Sequence, residues 1–374
     1  MMRKKYIYFD NNSTTRVDKD VAKEVYRYMR QCYGNASCAH NLGMLSDVAL
    51  QKAREIISDF LHVKSNEIYF SSGATESNNI LIKGFLIPFL ISGKVVHAIT
   101  SEIEHPSVLQ CFQELKKYLS QDNIPEIQNL QAGIVPHAGW VYSGVTAGKM
   151  FQCVAKTTNP DTFIIFGAVH VPGVSKPSLW PDGAWETPLQ VTDIDTDVVQ
   201  WLHENASEYV VDNPAAHRQE HSIEVQIPFI QYAFPNSKIV PIATPPIKIA
   251  IALGEKLAEY KEKNIFVIGS TDMTHYGYRF GFAPAGRAFK AHDWVKEDND
   301  KRMIDLIQDM KIENILPEAY NHNNACGGGA IAATLAFAKA RGITKGTFLH
   351  YTTSLDVRPE PNADSLVGYS SFVF

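Results

Sequence analysis

Short apolar runs alternate with longer amphipathic segments along most of the chain. After residue 129, four such runs predict buried strands, at 130–135, 162–166, 238–242 and 264–270. Two later runs predict strands at 346–351 and 367–374, and a nearly all-apolar helix is predicted at 330–339. Strands that alternate with helices are typical of layered α/β domains, so this part of the chain predicts that fold class.

The first hundred residues carry a weaker pattern of helices and short strands. Helical spacing of apolar residues predicts helices over 20–30 and 47–61. The remaining predicted elements are short: a strand at 67–70, a helical segment at 80–85, a strand at 95–100 and a helix at 112–119. A Gly/Ser/Thr-rich turn, Ser71–Asn79, follows the first of these strands. Such a turn at a helix start either binds a phosphate or merely caps the helix.

Composition and charge narrow the function classes. With 374 residues, 45% of them hydrophobic and 11% aromatic, the chain can fill the core of one large domain or two ordinary ones. The net charge of −5 comes without a block of Lys and Arg, so no nucleic-acid partner is expected. The apolar run at 85–92 is too short to cross a bilayer, and no signal peptide is predicted. The 5 scattered cysteines suit a reducing compartment, so we expect a cytoplasmic protein.

Three histidines follow the ends of predicted strands: His137, His170 and His275. Sites in α/β domains form beyond the carboxyl ends of strands. Cys326 stands at the start of a glycine-rich helix, where the helix dipole is expected to lower the pKa of a thiol. Imidazoles combined with a thiolate suit iron, copper or zinc. The spacing leaves two interpretations open, a shared metal site or separate structural histidines.

Two polar residues near these positions also have alternative interpretations. Asp272 precedes His275 by three residues and either holds an imidazole in place or caps the turn. His221 opens the amphipathic segment 221–229. It either faces the pocket, where an imidazole can transfer protons, or is a structural, hydrogen-bonded histidine.

Four motifs stand in order in the first part of the chain: Tyr8–Thr15, Tyr33–Asn35, Ser72–Asn79 and Glu102–Val108. Their order and spacing resemble cysteine desulfurases of the NifS/IscS type, over residues 6 to about 112. The resemblance implies a partial fold-type-I pyridoxal phosphate (PLP) enzyme, in which Ala74 and Thr75 hold the cofactor phosphate and His105 stacks on its ring. It also implies a homodimer, because desulfurases of this type form homodimers.

The first part lacks the residues that the chemistry of this family requires. Nothing after residue 112 matches the Schiff-base lysine, the aspartate that pairs with the pyridine nitrogen, or the mobile-loop cysteine. Without the lysine the cofactor cannot form an internal aldimine. Without the aspartate the pyridine nitrogen of PLP lacks the partner that makes the ring an effective electron acceptor. Desulfurase activity of this chain alone, and bound PLP, are therefore not expected.

Seven motifs stand in order in the second part: Pro136–Gly139, Gly167–His170, Trp185–Leu189, Glu220–Gln226, Asp272–Tyr276, Cys326–Gly327 and Val367–Ser370. They resemble the Memo family from about residue 112 to the end. The resemblance implies a LigB-like fold, shared with extradiol dioxygenases that hold non-haem iron. It implies that His137, His170 and Cys326 bind iron or copper and that His275 lies in the same pocket. The chain departs from the family in lacking its usual opening segment and in carrying Ala168 where proline is common.

These observations predict a truncated desulfurase-like segment at 1–111, followed by a Memo-like metal-site domain at 112–374. His137, His170 and Cys326 are the predicted metal ligands, and His275, His221 and Asp272 are the candidate catalytic residues. The leading hypothesis is redox or dioxygenase-like activity on an unidentified small molecule. One alternative is a non-catalytic metal-handling or partner-binding protein. Two others are a PLP half-site completed by another chain and an accidental fusion of two genes.

Overall fold

The computed structural model describes residues 8–9, 14–38, 40–86, 98, 100–101, 104–110, 127, 129–187 and 189–374. The chain divides into two compact units, Met1–Ser77 and Asn78–Phe374. The predicted helix at 112–119 lies outside the described residues, as does most of the predicted strand at 95–100. The predicted boundary after residue 111 also lies in an undescribed stretch and stays a prediction.

Helices dominate the described residues of the first unit. The first, α1, spans Lys19–Arg30, and Asp18 caps it by accepting the backbone N–H groups of Asp20 and Val21. The second, α2, spans Asn41–Leu61 and begins six residues before its predicted start, because the His40 side chain accepts the Gly43 N–H and caps an extra turn. A short helix, α3, spans Ala74–Asn78.

The predicted strand at 67–70 is wrong. Residues Ser65–Glu67 form a single 3₁₀ turn, and residues 68–70 are extended without strand pairing. A strand is stabilised by hydrogen bonds to a neighbouring strand, and none of the described residues offers one to this segment. The predicted helical segment at 80–85 is present as a π-helical turn, Asn79–Lys83, followed by a turn of α-helix.

The second unit is built on a mixed sheet. Its strands are β1 Ala132–Val135, β2 Thr162–Gly167, β3 Ser178–Leu179, β6 Val211–Asp212, β7 Lys238–Ala243, β8 Ile265–Ser270, β9 His275–Gly277, β10 Thr347–Thr353 and β11 Ser365–Val373. The order is β10-β11-β1-β8-β2-β7-β3-β6, and β9 pairs with β11. The neighbours β1, β8, β2 and β7 run parallel. Two further strands, β4 Ala184–Glu186 and β5 Val191–Asp193, form a separate antiparallel ribbon.

Helices cover the sheet and close the core. They are α4 Trp140–Thr157, α5 Thr196–Asn205, α6 Ile227–Ala233, α7 Lys248–Leu257, α8 Ala288–Trp294, α9 Asp300–Gln308, α10 Ile312–His322, α11 Gly328–Ala340 and α12 Ser354–Val357. Strands β1, β2 and β8 are buried along their whole length, as expected of parallel strands with both faces covered. In the described part of the chain, no helix has the length and apolar character needed to cross a bilayer. The mixed sheet with its helices confirms the predicted α/β class.

The parallel centre of the sheet determines where polar loops meet. Strand β8 lies between β1 and β2, and all three run in the same direction. Their carboxyl ends therefore lie side by side, and so do the loops that leave them at residues 136, 168 and 271. His137, His170 and the segment before His275 all stand on these loops, as the positions of the predicted strand ends indicated.

Candidate metal centre

Three imidazoles meet beyond the carboxyl ends of the central strands. Ring nitrogens of His137, His170 and His221 all lie within 4.8 Å of one another. The ring centroids are 5.0–5.4 Å apart, and the rings of His170 and His221 are nearly parallel. Three convergent imidazole nitrogens are a donor set that suits a transition metal, so these residues could hold a metal ion.

His137 is the buried member and is held in one orientation. Its Nδ1 lies 3.0 Å from Ser270 Oγ, whose own hydrogen is donated to the Ser222 carbonyl at 2.6 Å. Because that hydroxyl proton is already used, Ser270 accepts and His137 Nδ1 carries the proton. Burial, reinforced by the neighbouring His170 and His221, lowers the pKa of His137 well below its ordinary value. The ring is therefore neutral, and its Nε2 lone pair, which faces Cys326 Sγ at 3.2 Å, is the atom that could bind a metal.

Glu220 orients His170. Its carboxylate accepts the His170 backbone N–H at 2.6 Å and the ring Nδ1–H at 2.9 Å. Burial would raise the pKa of Glu220, but the hydrogen bonds from His170 and from the Ser222 backbone lower it to about 2. The ionised carboxylate raises the pKa of His170 and fixes a proton on Nδ1. Nε2 is then the atom that loses its proton when a metal binds, an arrangement common around protein-bound metals.

His221 is the most exposed of the three imidazoles. Its side chain is 53% exposed, and its Nδ1 lies 3.8 Å from the same Glu220 carboxylate. The sequence left open whether His221 faces the pocket or is structural, and the structure places it among the clustered imidazoles. Glu220, Ser270 and Ser222 are not among the predicted site residues. Glu220 and Ser222 stand in the Glu220–Gln226 motif and Ser270 ends β8, but no sequence pattern predicts their hydrogen bonds to the imidazoles or to each other.

Cys326 contacts His137 but lies outside the mutual imidazole cluster. Its Sγ is 3.2 Å from His137 Nε2 and accepts the Asp272 backbone N–H, also at 3.2 Å. The expectation that the helix dipole lowers its pKa is wrong: burial and then the nearby Asp272 carboxylate raise the pKa of the thiol. A thiolate at this position therefore needs a cation beside it.

Asp272 lies on the loop that follows β8, and His275 begins strand β9 directly after that loop. The buried carboxylate of Asp272 accepts the backbone N–H groups of His137 and Ala138 at 2.7 and 3.2 Å, which joins this loop to the one after β1. His275 Nδ1 donates to the Met273 carbonyl at 3.2 Å. Burial raises the pKa of Asp272 and lowers that of His275. Both residues lie beside the imidazole cluster, and His275 stays neutral with its Nε2 available.

The residues predicted to contact PLP belong to short local structures. Ala74 and Thr75 begin α3, a helix of only 5 residues. In the second unit, His105 Nδ1 lies 2.8 Å from Ser107 Oγ, which also accepts from Asn78 Nδ2 at 2.9 Å. The predicted roles of Ala74, Thr75 and His105 in cofactor binding stay predictions.

Comparison with known proteins supports a composite chain. The Memo-like protein family matches residues 104–373, and the aminotransferase class-V family matches residues 7–132. The two ranges overlap over residues 104–132 and include the predicted boundary. A NifS-like protein of known structure is 28% identical with a TM-score of 0.28, and the match covers 44% of this chain and 43% of that one. The chain thus spans less than half of that protein.

The more extensive matches are to archaeal proteins. A MEMO1 family protein of Pyrococcus furiosus is 37% identical over 259 residues, which is 66% of this chain and 87% of the relative. A MEMO1 family protein of Methanopyrus kandleri is 33% identical, over 68% of this chain and 88% of the relative. Both predicted resemblances are confirmed, and the first segment is a partial class-V aminotransferase fold. Over the larger part of its length, the chain belongs to the Memo-like protein family.

Proposed function

We propose that His137, His170 and His221 bind one iron or copper ion and that Cys326 is a further ligand from the side of His137. The observation that carries this proposal is the convergence of three imidazole nitrogens within 4.8 Å. Support comes from the hydrogen bonds of Ser270 and Glu220, which place a proton on Nδ1 of His137 and of His170, so that Nε2 carries the lone pair of each neutral ring. Imidazole suits both iron and copper, and a thiolate adds a soft ligand that copper favours.

We propose a redox or dioxygenase-like reaction on a small molecule at this centre. Bound iron or copper would supply one-electron chemistry and Lewis acidity. His275 is the general acid or base of the proposal, because its Nδ1–H is donated to Met273 and its lowered pKa keeps Nε2 free to accept a proton. Asp272 keeps the two loops together through its bonds to the backbone of His137 and Ala138. His221, whose side chain is 53% exposed, is the ligand on the solvent side of the proposed centre.

Elemental analysis of the purified full chain tests the metal proposal. We expect close to one equivalent of iron or copper in the wild type and a loss of most of it in His137→Ala and His221→Ala. His203→Ala is the matched control, because His203 is an exposed histidine paired with Asp212. Equal and negligible metal in all samples would contradict the proposal. A thiolate-to-metal absorption band that is present in the wild type and absent in Cys326→Ser would assign the sulfur ligand.

A second candidate is a non-catalytic metal-handling or partner-binding protein. It is favoured by exposed apolar side chains on the first unit: on α1, Val25 is 52% and Met29 is 72% exposed, and on α2, Ile56 is 62% and Phe60 is 82% exposed. Apolar faces of this kind commonly mediate association. We therefore propose that the full chain forms a homodimer through them.

Light scattering on the full chain tests the dimer. Val25→Glu and Phe60→Glu should yield monomers, while Tyr320→Glu, at a residue that is 85% exposed on α10, should leave the dimer intact. A monomeric wild type would eliminate this candidate. Oxygen consumption by the metal-loaded protein then distinguishes the two candidate functions. Consumption would favour the redox or dioxygenase-like reaction, and no consumption would favour metal handling.

A further inference from the structure

A tight loop beyond strand β9 holds one arginine near the candidate metal centre. The strand begins with His275, and the loop that follows it contains a single 3₁₀ turn, Tyr278–Phe280. Two backbone hydrogen bonds close this loop: the Gly277 N–H donates to the Phe282 carbonyl at 2.7 Å, and the Phe282 N–H donates to the Gly277 carbonyl at 3.3 Å. Arg279 lies in the middle of the closed turn.

Glycine at both ends of the turn permits this closure. Gly277 and Gly281 have φ values of +128° and +69°, which residues with a Cβ rarely adopt. A Cβ added to Gly277 would also lie 2.4 Å from the Asp364 carbonyl oxygen. The geometry of the turn therefore depends on its glycines, and so does the position of Arg279 relative to His275.

An aromatic ring connects the arginine to His275. The guanidinium carbon of Arg279 lies 4.7 Å from the centroid of the Phe280 ring, a distance at which a cation is attracted to an aromatic face. The Phe280 ring in turn contacts the His275 ring at nearly a right angle, with centroids 5.1 Å apart. Because both distances start from the same ring, the guanidinium carbon is at most about 10 Å from the centre of the imidazole. After the larger effect of burial, the charge of Arg279 also lowers the pKa of His275.

The guanidinium of Arg279 is accessible to a ligand. The residue is exposed and forms no ion pair or hydrogen bond with the part of the chain that the structure describes. Its contact with Phe280 uses the face of the guanidinium and leaves the N–H groups at its edge unpaired. Two parallel N–H groups of a guanidinium match the two oxygens of a carboxylate. Residues 276–286 include no second Lys or Arg, so the loop suits a singly charged carboxylate better than a phosphate dianion.

We propose that Arg279 binds the carboxylate of a small anionic substrate and thereby orients that substrate at the metal centre. This inference rests on the proposed function, because it assigns a substrate class to the same site. A separation of at most about 10 Å lets one small carboxylic acid contact both the guanidinium and the His275 ring. Because His275 stays neutral, the arginine is the cation of this loop that attracts the carboxylate, and the imidazole remains free for proton transfer.

Calorimetric titration of the full chain with benzoate tests this inference, with benzamide as a neutral ligand of the same shape. The wild type should bind benzoate about 10-fold more tightly than benzamide, because only benzoate forms a charge-assisted pair with the guanidinium. Arg279→Gln should weaken benzoate binding about 10-fold and leave benzamide binding unchanged. Arg287→Gln is the matched control and should change neither affinity, because Arg287 is an exposed arginine at the start of α8, beyond the closed turn.

Comparing the two ligands separates recognition of charge from support of the loop. Equal affinity of the wild type for benzoate and benzamide would overturn the inference. An equal loss of both ligands in Arg279→Gln would also overturn it, because the arginine would then only stabilise the turn.

Two further measurements relate the anion site to the metal centre. Elemental analysis should give the same metal content in Arg279→Gln as in the wild type. Negligible metal together with benzoate binding that depends on Arg279 would contradict the metal centre and still support the carboxylate site. In protein loaded with iron or copper, the ring protons of benzoate should relax faster with the wild type than with Arg279→Gln. Benzoate bound through Arg279 without faster relaxation would overturn its placement at the metal centre.

Discussion

At the residue scale, the position of one proton on each imidazole determines whether the cluster can bind a metal. Glu220 places the proton of His170 on Nδ1. In Glu220→Gln, an amide N–H can donate to Nδ1 instead, which moves the ring proton to the ligand atom Nε2. We expect metal affinity to fall about 10–100-fold without the loss of any ligand. Competition with a chelator measures this, and Glu224→Gln is the matched control on an exposed residue of the same segment. Unchanged affinity in Glu220→Gln would contradict this role.

A second residue-scale prediction concerns Asp300, which is buried behind the loop that carries His275. Its carboxylate accepts from the Thr274 N–H and hydroxyl and from the Tyr351 hydroxyl. Burial raises its pKa from 3.8 to about 6 despite these hydrogen bonds. The folded state holds this proton more tightly than the unfolded state. The protonated Asp300 therefore adds its full contribution to the free energy of unfolding below pH ~4, and that contribution is lost as the pH rises through about 6.

The size of this effect is about 3 kcal/mol of unfolding free energy, the equivalent of a shift from 3.8 to about 6. Denaturant unfolding at pH 4.5 and 7.5 measures it in the wild type and in Asp300→Asn. The asparagine can accept from Thr274 and donate to Tyr351, so the variant should lose most of the pH dependence that Asp300 causes. The same difference between the two pH values in both proteins would contradict the prediction.

Sequence patterns predicted several site residues but not their grouping. His137, His170 and His275 follow strand ends, so their common edge of the sheet could be predicted from local pattern alone. His221 lies on a segment that no predicted strand precedes directly, and its approach to His170 depends on the path of the chain between β6 and α6. The protonation of each ring depends on Ser270 and Glu220, whose hydrogen bonds have no sequence signature.

At the element scale, close helix packing depends on glycine. In α7, a Cβ added to Gly254 would lie 2.1 Å from the Ala333 carbonyl oxygen of α11. Gly254→Ala must therefore separate the two helices, and we expect a loss of about 1–3 kcal/mol in unfolding free energy. Gly144→Ala on α4 is the matched control, because its nearest neighbour would be Trp140 Cβ at 3.4 Å. Thermal unfolding compares the two, and equal stability of both variants would contradict this packing argument.

The central strands could be predicted from sequence because each is a continuous apolar run. The two- and three-residue strands β3 to β6 could not, since they pair through backbone hydrogen bonds and have no hydrophobic period of their own. The strand predicted at 67–70, which the structure does not contain, shows the opposite case. An apolar run with high β-propensity does not form a strand when no described segment of the chain pairs with it.

At the scale of the whole molecule, a partial PLP-enzyme fold precedes a nearly complete Memo-like region. The first segment has no counterpart of the family's Schiff-base lysine in the chain that follows. Adding PLP should therefore produce no aldimine absorbance and no saturable binding that Thr75→Ala or His105→Ala weakens. Absorbance titration of the full chain measures this. Saturable binding lost in those variants would instead favour a half-site completed by another chain.

The central claim is that one transition-metal ion binds between His137, His170 and His221. Anomalous diffraction from a crystal of the full chain, collected at the iron and copper absorption edges, tests it most directly. We expect a single strong peak within bonding distance of a ring nitrogen of each of the three histidines, with Cys326 Sγ on the side of His137. The contradicting result is an anomalous peak elsewhere in protein loaded with iron or copper, or no peak among these three imidazoles.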